Sequence, residues 1–330
     1  MKIASHLNPK LFDESIESAP TRDGFGDGLK EAGEKDPRVV ALSADLVEST
    51  RVNLFAEEFP DRFIEVGVAE QNMASVASGL AAVGKIPFIT SYAMFSPGRN
   101  WEQIRTTIAY NERNVKIIGA HSGVSVGPDG ATHQAIEDIA LMRVMPNIVV
   151  IAPVDAMEAK KATLWAASYD GPVYIRLGRE KVPTITTVGT LFELGKGGLW
   201  IEKEGDLPHT VGIITTGSMF HNAAKAAVDL EKKGIGVSIL HLSTIKPLDK
   251  EAILKLSEGH DLIVTIEEHQ RYGGLGGAVA EFLSEERPTK VIRIGVDDQF
   301  GQSGETEELF KHYGLDKDSI VKKISEAFSV

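Results

Sequence analysis

The sequence predicts an α/β protein built as two doubly wound domains, and three observations carry that expectation. Short apolar, strand-like runs recur along the chain, helical stretches separate most of them, and one irregular segment divides the series in two. The length of 330 residues exceeds one typical domain and leaves room for two sizeable cores.

Residues 1–20 read as a polar N-terminal lead-in. The first domain, residues 21–185, starts with a helix around Thr21–Gly33 whose Phe25, Leu29 and Ala32 share a face. Strands are expected at Val39–Leu42, Phe63–Val66, Ile86–Thr90, Val115–Ala120, Ile148–Ala152 and Val173–Arg176, mostly parallel because helices intervene. From Gly67 to Ala82 the text GVAEQNMASVASGLAA is small and apolar enough for a helix buried on all sides. From about Val182 to Pro208 the sequence turns irregular, with two short strand-like pieces, so residues 186–208 read as a connector. The second, smaller α/β domain, residues 209–330, has strands at Val211–Thr215, Gly236–Leu240, Leu262–Ile266 and Val291–Ile294. Its helices fall near Ser218–Lys233, Lys250–Ser257 and Leu275–Ser284.

Lys and Arg number 35 against 47 Asp and Glu, a net charge of −12, which argues against nucleic acid or an anionic membrane as a partner. Any phosphorylated substrate must then be met by a local basic cluster. With no Cys, neither a disulfide framework nor a thiol nucleophile is available. The start, MKIASHLNPKLFDES, lacks an apolar signal core and no run of about 18 apolar residues occurs, so a cytoplasmic protein is expected.

Glu70 is the one charge in its uncharged segment, and a buried carboxylate there needs a specific partner; by position alone it also reads as a structural residue favoured by the helix dipole. After the run VKIIGA comes HSGVSVGPDGATHQAIED, a Gly-rich loop carrying His121, Asp129, Thr132, His133 and Gln134. Loops that leave the carboxyl ends of strands are where ligands bind in α/β proteins. Two His residues and an Asp on one such loop suggest a site.

These segments are recognisable together. FIEVGVAEQNMASVASGLAAVGKIPFITSYAMFSPGRNWEQIR, GVSVGPDGATHQAIEDIALMRVMPNIVVIAPVDAMEA and GPVYIRLGRE resemble the pyrimidine-binding half of transketolases. EEHQRYGGLGGAVAEFL and FGQSGETEELFKHYGL extend the likeness through the C-terminal third. The chain is most similar to the C-terminal subunit of transketolases whose gene is split in two.

The resemblance implies thiamine diphosphate as cofactor, whose own aminopyrimidine serves as internal base. It implies that Glu70 hydrogen-bonds the pyrimidine ring nitrogen and that Phe95, with Tyr92 beside it, stacks on the ring face; without it both rings read as core aromatics. His121 and His133 would handle hydroxyl protons and stabilise charge on the donor's carbonyl oxygen, with Asp129 bonding the neighbouring hydroxyl. Arg179, Arg22 and Ser49 fall where transketolases bind the sugar phosphate; each arginine alone reads as a solvated surface charge. Arg176 is the alternative to Arg179 for that role, but the family's arginine aligns better with Arg179.

Two motifs are lures. Gly26-Asp27-Gly28 followed by Asn53 imitates the pattern that holds Mg²⁺ and diphosphate in thiamine enzymes, yet it lies in a helical pattern and not after an apolar strand. Gly273–Gly277 follows the strand LIVTIEEH but fails the GxGxxG spacing, and reads as a tightly packed helix start. No metal ligand is therefore assigned to this chain, and Mg²⁺ is expected on a partner. That partner would be an N-terminal, diphosphate-binding subunit, in an α2β2 assembly in which this chain also pairs with itself. Three alternatives stay open: a deoxyxylulose-phosphate synthase-like chain, a 2-oxoacid dehydrogenase β-type subunit, or a non-catalytic assembly partner.

Overall fold

The computed structural model describes residues 1–329. It is an α/β structure with two mostly parallel sheets. The first sheet has seven strands, in the order Thr244–Lys246, Val149–Ile151, Val173–Arg176, Lys116–Ala120, Ile86–Tyr92, Val39–Ser43 and Phe63–Glu65. All its pairs are parallel except that of Thr244–Lys246 with Val149–Ile151. The second sheet runs Lys2–Ile3, Gly198–Glu202, Ile235–His241, His209–Thr215, Leu262–Gln270 and Val291–Val296, with the last four strands parallel.

Three features differ from the sequence reading. The polar lead-in is tied down: Lys2–Ile3 is an edge strand of the second sheet, Leu7 and Leu11 are buried in that domain's core, and Ser18–Pro20 pairs with Lys181–Pro183. Two- and three-residue strands with partners some 160 to 200 positions away carry no local pattern. The connector, read with two short strand-like pieces, does hold a strand at Gly198–Glu202, but that strand is built into the second sheet between Lys2–Ile3 and Ile235–His241. The Glu70–Ala82 helix is not buried on all sides. Met73, Ala74 and Ala77 face the core, while Gln71, Asn72, Ser75, Gly79 and Ala82 are exposed. Its small residues therefore mark one buried face and one uncharged outer face.

The Gly26-Asp27-Gly28 text lies inside the Thr21–Lys35 helix, with Asp27 exposed. A Cβ on Gly24 would stand 1.8 Å from the Ala156 carbonyl oxygen, and one on Gly28 would stand 2.9 Å from Thr163 Cβ. Missing side chains let this helix lie against Ala156–Ser168 above a shared core of Phe25, Leu29, Ala159 and Ala162. The second glycine cluster opens the Leu275–Glu286 helix, whose Leu275 and Gly276 amides donate to the buried Glu267 carboxylate at 2.7 Å each.

Lys116 is fully buried and donates to the Tyr169 and Gly171 carbonyl oxygens, each at 2.7 Å. A neutral amine has two N–H groups, enough for both. Burial pulls its pKa from 10.5 down to about 7. The unfolded chain then binds more protons between about pH 7 and 10.5, so stability should rise with pH across that window and be flat below it. The slope in mid-window should approach ~1.4 kcal/mol per pH unit. Urea unfolding of Lys116→Met at pH 7, 8.5 and 9.5 should lack this increment; an unchanged slope would refute the assignment.

Candidate active site

Parallel strands end on one side of a sheet, so the loops after Ser43, Tyr92, Ala120 and Arg176, on four adjacent strands, gather at one edge. Each site residue named from the sequence lies on these loops or at a helix start or strand end beside them.

Glu70 is the first residue of its helix and only 2% exposed. Both carboxylate oxygens accept from Arg99 Nη1, at 2.9 and 2.8 Å, and Asn100 Nδ2 donates to the Glu70 carbonyl oxygen at 3.0 Å. Arg99 also lies over Phe95, 4.7 Å from the ring centroid. A buried carboxylate and an aromatic face thus adjoin. Rings continue the wall: Tyr92 stacks on His121 with centroids 3.8 Å apart, and Phe95 meets His133 edge-on at 5.6 Å.

His121 sits at φ +54° on the turn out of its strand. Arg22 Nη1 is 3.0 Å from its Nε2 and 2.9 Å from the Ser49 carbonyl oxygen. A guanidinium only donates, so Nε2 accepts and the ring proton sits on Nδ1. Burial, reinforced by Arg22, Arg179 and His133, pulls His121 down to about 3, and the imidazole is neutral at physiological pH. His133 Nδ1 is 2.9 Å from the Thr132 hydroxyl. Asp129 is exposed at the end of the short Val124–Asp129 turn on the same loop.

The guanidinium groups of Arg22, Arg51 and Arg179 converge beside this wall, with Arg51 Nε donating to Asp23 Oδ1 at 2.6 Å. Burial and the charges of Arg51 and Arg179 push Arg22 below the ordinary arginine value. Arg179 donates Nη1 to the Val126 carbonyl oxygen at 2.6 Å and remains partly exposed. Arg176 is turned away from the cleft: it is 7% exposed, with Nε on Asp138 Oδ2 at 2.8 Å and Nη2 on the Glu268 carbonyl oxygen at 2.8 Å.

The second domain grips the His121–Gln134 loop from below. Glu268 accepts from the Ser125 amide at 2.6 Å, Thr306 Oγ1 donates to the Ser125 carbonyl oxygen at 3.2 Å, and the buried Gln134 donates to the Gln302 carbonyl oxygen at 2.9 Å. Sequence reasoning missed Arg99, Arg51 and Glu268. The signal for Arg99 was the question Glu70 itself posed, since a carboxylate in an uncharged run needs a cation or donor from elsewhere.

A buried carboxylate next to a ring wall fits the aminopyrimidine end of thiamine diphosphate. Among the described residues no group of three or more His, Asp or Glu side chains is placed to hold a metal ion, and no helix is long and apolar enough to cross a membrane.

Residues 17–184 match the transketolase pyrimidine-binding domain and residues 202–320 the transketolase C-terminal domain. A Methanocaldococcus jannaschii chain provisionally named a transketolase C-terminal section is 47% identical, covering 92% of this chain and 95% of that one. A Clostridium 6-deoxy-6-sulfo-D-fructose transketolase subunit is 40% identical (96% of each chain), as is an apulose-4-phosphate transketolase subunit from Phocaeicola vulgatus (92% of this chain, 96% of that one). Among solved structures, a split gene transketolase, described as an inactive β4 tetramer, superposes with a TM-score of 0.86 at 42% identity, over 94% of this chain and 98% of that one. The chain therefore belongs to the transketolase family, carrying its pyrimidine-binding and C-terminal domains as split-gene relatives do.

Proposed function

We propose that this chain is the pyrimidine-binding subunit of a thiamine diphosphate-dependent transketolase that moves a two-carbon ketol unit between sugar phosphates. An N-terminal subunit supplies the diphosphate and Mg²⁺ site, in an α2β2 complex in which this chain also pairs with itself. The observation that carries the reading is the convergence of Glu70, the Phe95 and Tyr92 rings, two imidazoles and three guanidinium groups at one sheet edge. When bound, the cofactor supplies the nucleophilic carbon and the electron sink that ketol transfer requires.

The protein's own groups divide the remaining work. Glu70, shielded from water, accepts the ring N–H and holds that proton in place. Phe95 and Tyr92 orient the ring. His121, neutral and protonated on Nδ1, is an N–H donor without a charge of its own to lose, while His133 and Asp129 hold the sugar hydroxyls. Arg22, with the Ser49 segment behind it, and Arg179 take the phosphate.

The test is reconstitution. The isolated chain should bind thiamine diphosphate weakly and turn nothing over; ketol transfer should appear when the N-terminal subunit is added. A β4 relative described as inactive is consistent with this. Tight Mg²⁺-dependent cofactor binding by this chain alone, measured by calorimetry, would overturn the two-subunit reading.

Arg179→Ala separates phosphate recognition from chemistry. In the complex it should weaken phosphorylated acceptors by about 2–3 kcal/mol in KM, the scale of a charge-assisted contact. The half-reaction of hydroxypyruvate, which has no phosphate, should be nearly unchanged. Equal loss with both substrates would remove Arg179 from the phosphate site.

A further inference from the structure

Arg99 holds the two positions that a cofactor ring would need. Its Nη1 donates to both oxygens of the buried Glu70, and its planar guanidinium lies over the Phe95 face, 4.7 Å from the centroid. A guanidinium and a protonated aminopyrimidine share the same chemical unit: a flat, delocalised N–C–N cation that gives N–H groups at its edge and offers a π-face. One acceptor edge and one aromatic face are therefore already satisfied by a side chain of the same shape and charge.

We propose that Arg99 is an internal mimic of the cofactor ring, an autoinhibitory latch that keeps Glu70 paired in the free chain and must swing out before the aminopyrimidine can dock. This deepens the reading of Glu70 as the partner of the ring nitrogen and rests on it.

The asymmetry of the pair supports a latch over a permanent strut. Glu70 is 2% exposed and fixed in the first turn of its helix, whereas the Arg99 side chain is 47% exposed. Movement costs the arginine little, since water can replace its contacts, but a bare carboxylate at Glu70 would be buried without a partner. A latch that fills the acceptor lowers the apparent affinity for the ring by the fraction of chains in which it is closed.

The experiment uses the intact chain and two probes, thiamine and 4-amino-5-hydroxymethyl-2-methylpyrimidine, with dissociation constants read by ligand-observed NMR and melting temperature as the folding control. Arg99→Met should bind both probes about 5- to 10-fold more tightly than the wild type, the scale of a half-exposed charge-assisted contact released. Arg99→Lys, which keeps the charge without the plane, should fall between them and carries the test if the Met variant misfolds. In a Glu70→Gln background the Arg99→Met gain should shrink or vanish. Arg99 variants that bind no better than wild type, or neither probe binding any of them, would overturn the latch. If Glu70→Gln loses the probes while Arg99→Met gains nothing, the latch fails and the role of Glu70 stands. If Glu70→Gln binds them as well as wild type, the role of Glu70 fails as well.

Discussion

Glu70→Gln is expected to lower ketol transfer by the reconstituted complex about 10²-fold or more, the scale of positioned acid–base catalysis. The substitution keeps length and shape, and its amide oxygen can still accept from Arg99, so the fold has no reason to change. What disappears is the negative charge that a ring N–H needs in a water-excluded site. The loss should appear with hydroxypyruvate and phosphorylated donors alike, because the carboxylate acts on the cofactor ring and not on the sugar. Near-normal turnover at an unchanged melting temperature would move the catalytic role elsewhere.

Arg176→Met is expected to destabilise the chain by about 3–5 kcal/mol, the range for breaking a buried ion pair from one side. Asp138 takes both Arg176 Nε at 2.8 Å and the Tyr174 hydroxyl at 2.7 Å, and burial already raises Glu268 above the usual carboxylate range while Arg176 holds it back. Without the guanidinium, two buried carboxylates lose their cation. A carboxylate whose folded pKa is raised favours the fold at low pH and disfavours it as pH rises through that pKa. The deficit, read by urea unfolding, should therefore be smaller near pH 5 than at pH 8. Asp138→Asn in the same chain should recover part of it. A cost below about 1 kcal/mol would show that water reaches the pair.

Much of this arrangement was legible in the sequence. Strands such as Val39–Ser43 and Val149–Ile151 show themselves because a strand buried on both faces is a near-continuous apolar run. Glu70 stands out because it is alone. Spacing could not tell Arg176 from Arg179, three positions apart at a strand end, since only the fold decides which one meets Asp138 and which faces the cleft. The Thr244–Lys246 strand was invisible for a related reason. Three residues have no periodicity, and their partner, Val149–Ile151, belongs to the other domain.

That strand bears on how such a protein can be recombined. The second domain's chain lends an edge to the first sheet, and the N-terminus lends Lys2–Ile3 to the second, so the two halves are interleaved at both ends. A crossover in the gene at the segment joining them would not exchange one module for another. It would give each sheet an outer strand from the other parent, and expressing the halves as separate pieces would remove those strands and leave open backbone edges, ready to pair with other chains. Chimeras are better cut outside this lacing, with residues 1–20 and 244–246 inherited along with the sheet they complete.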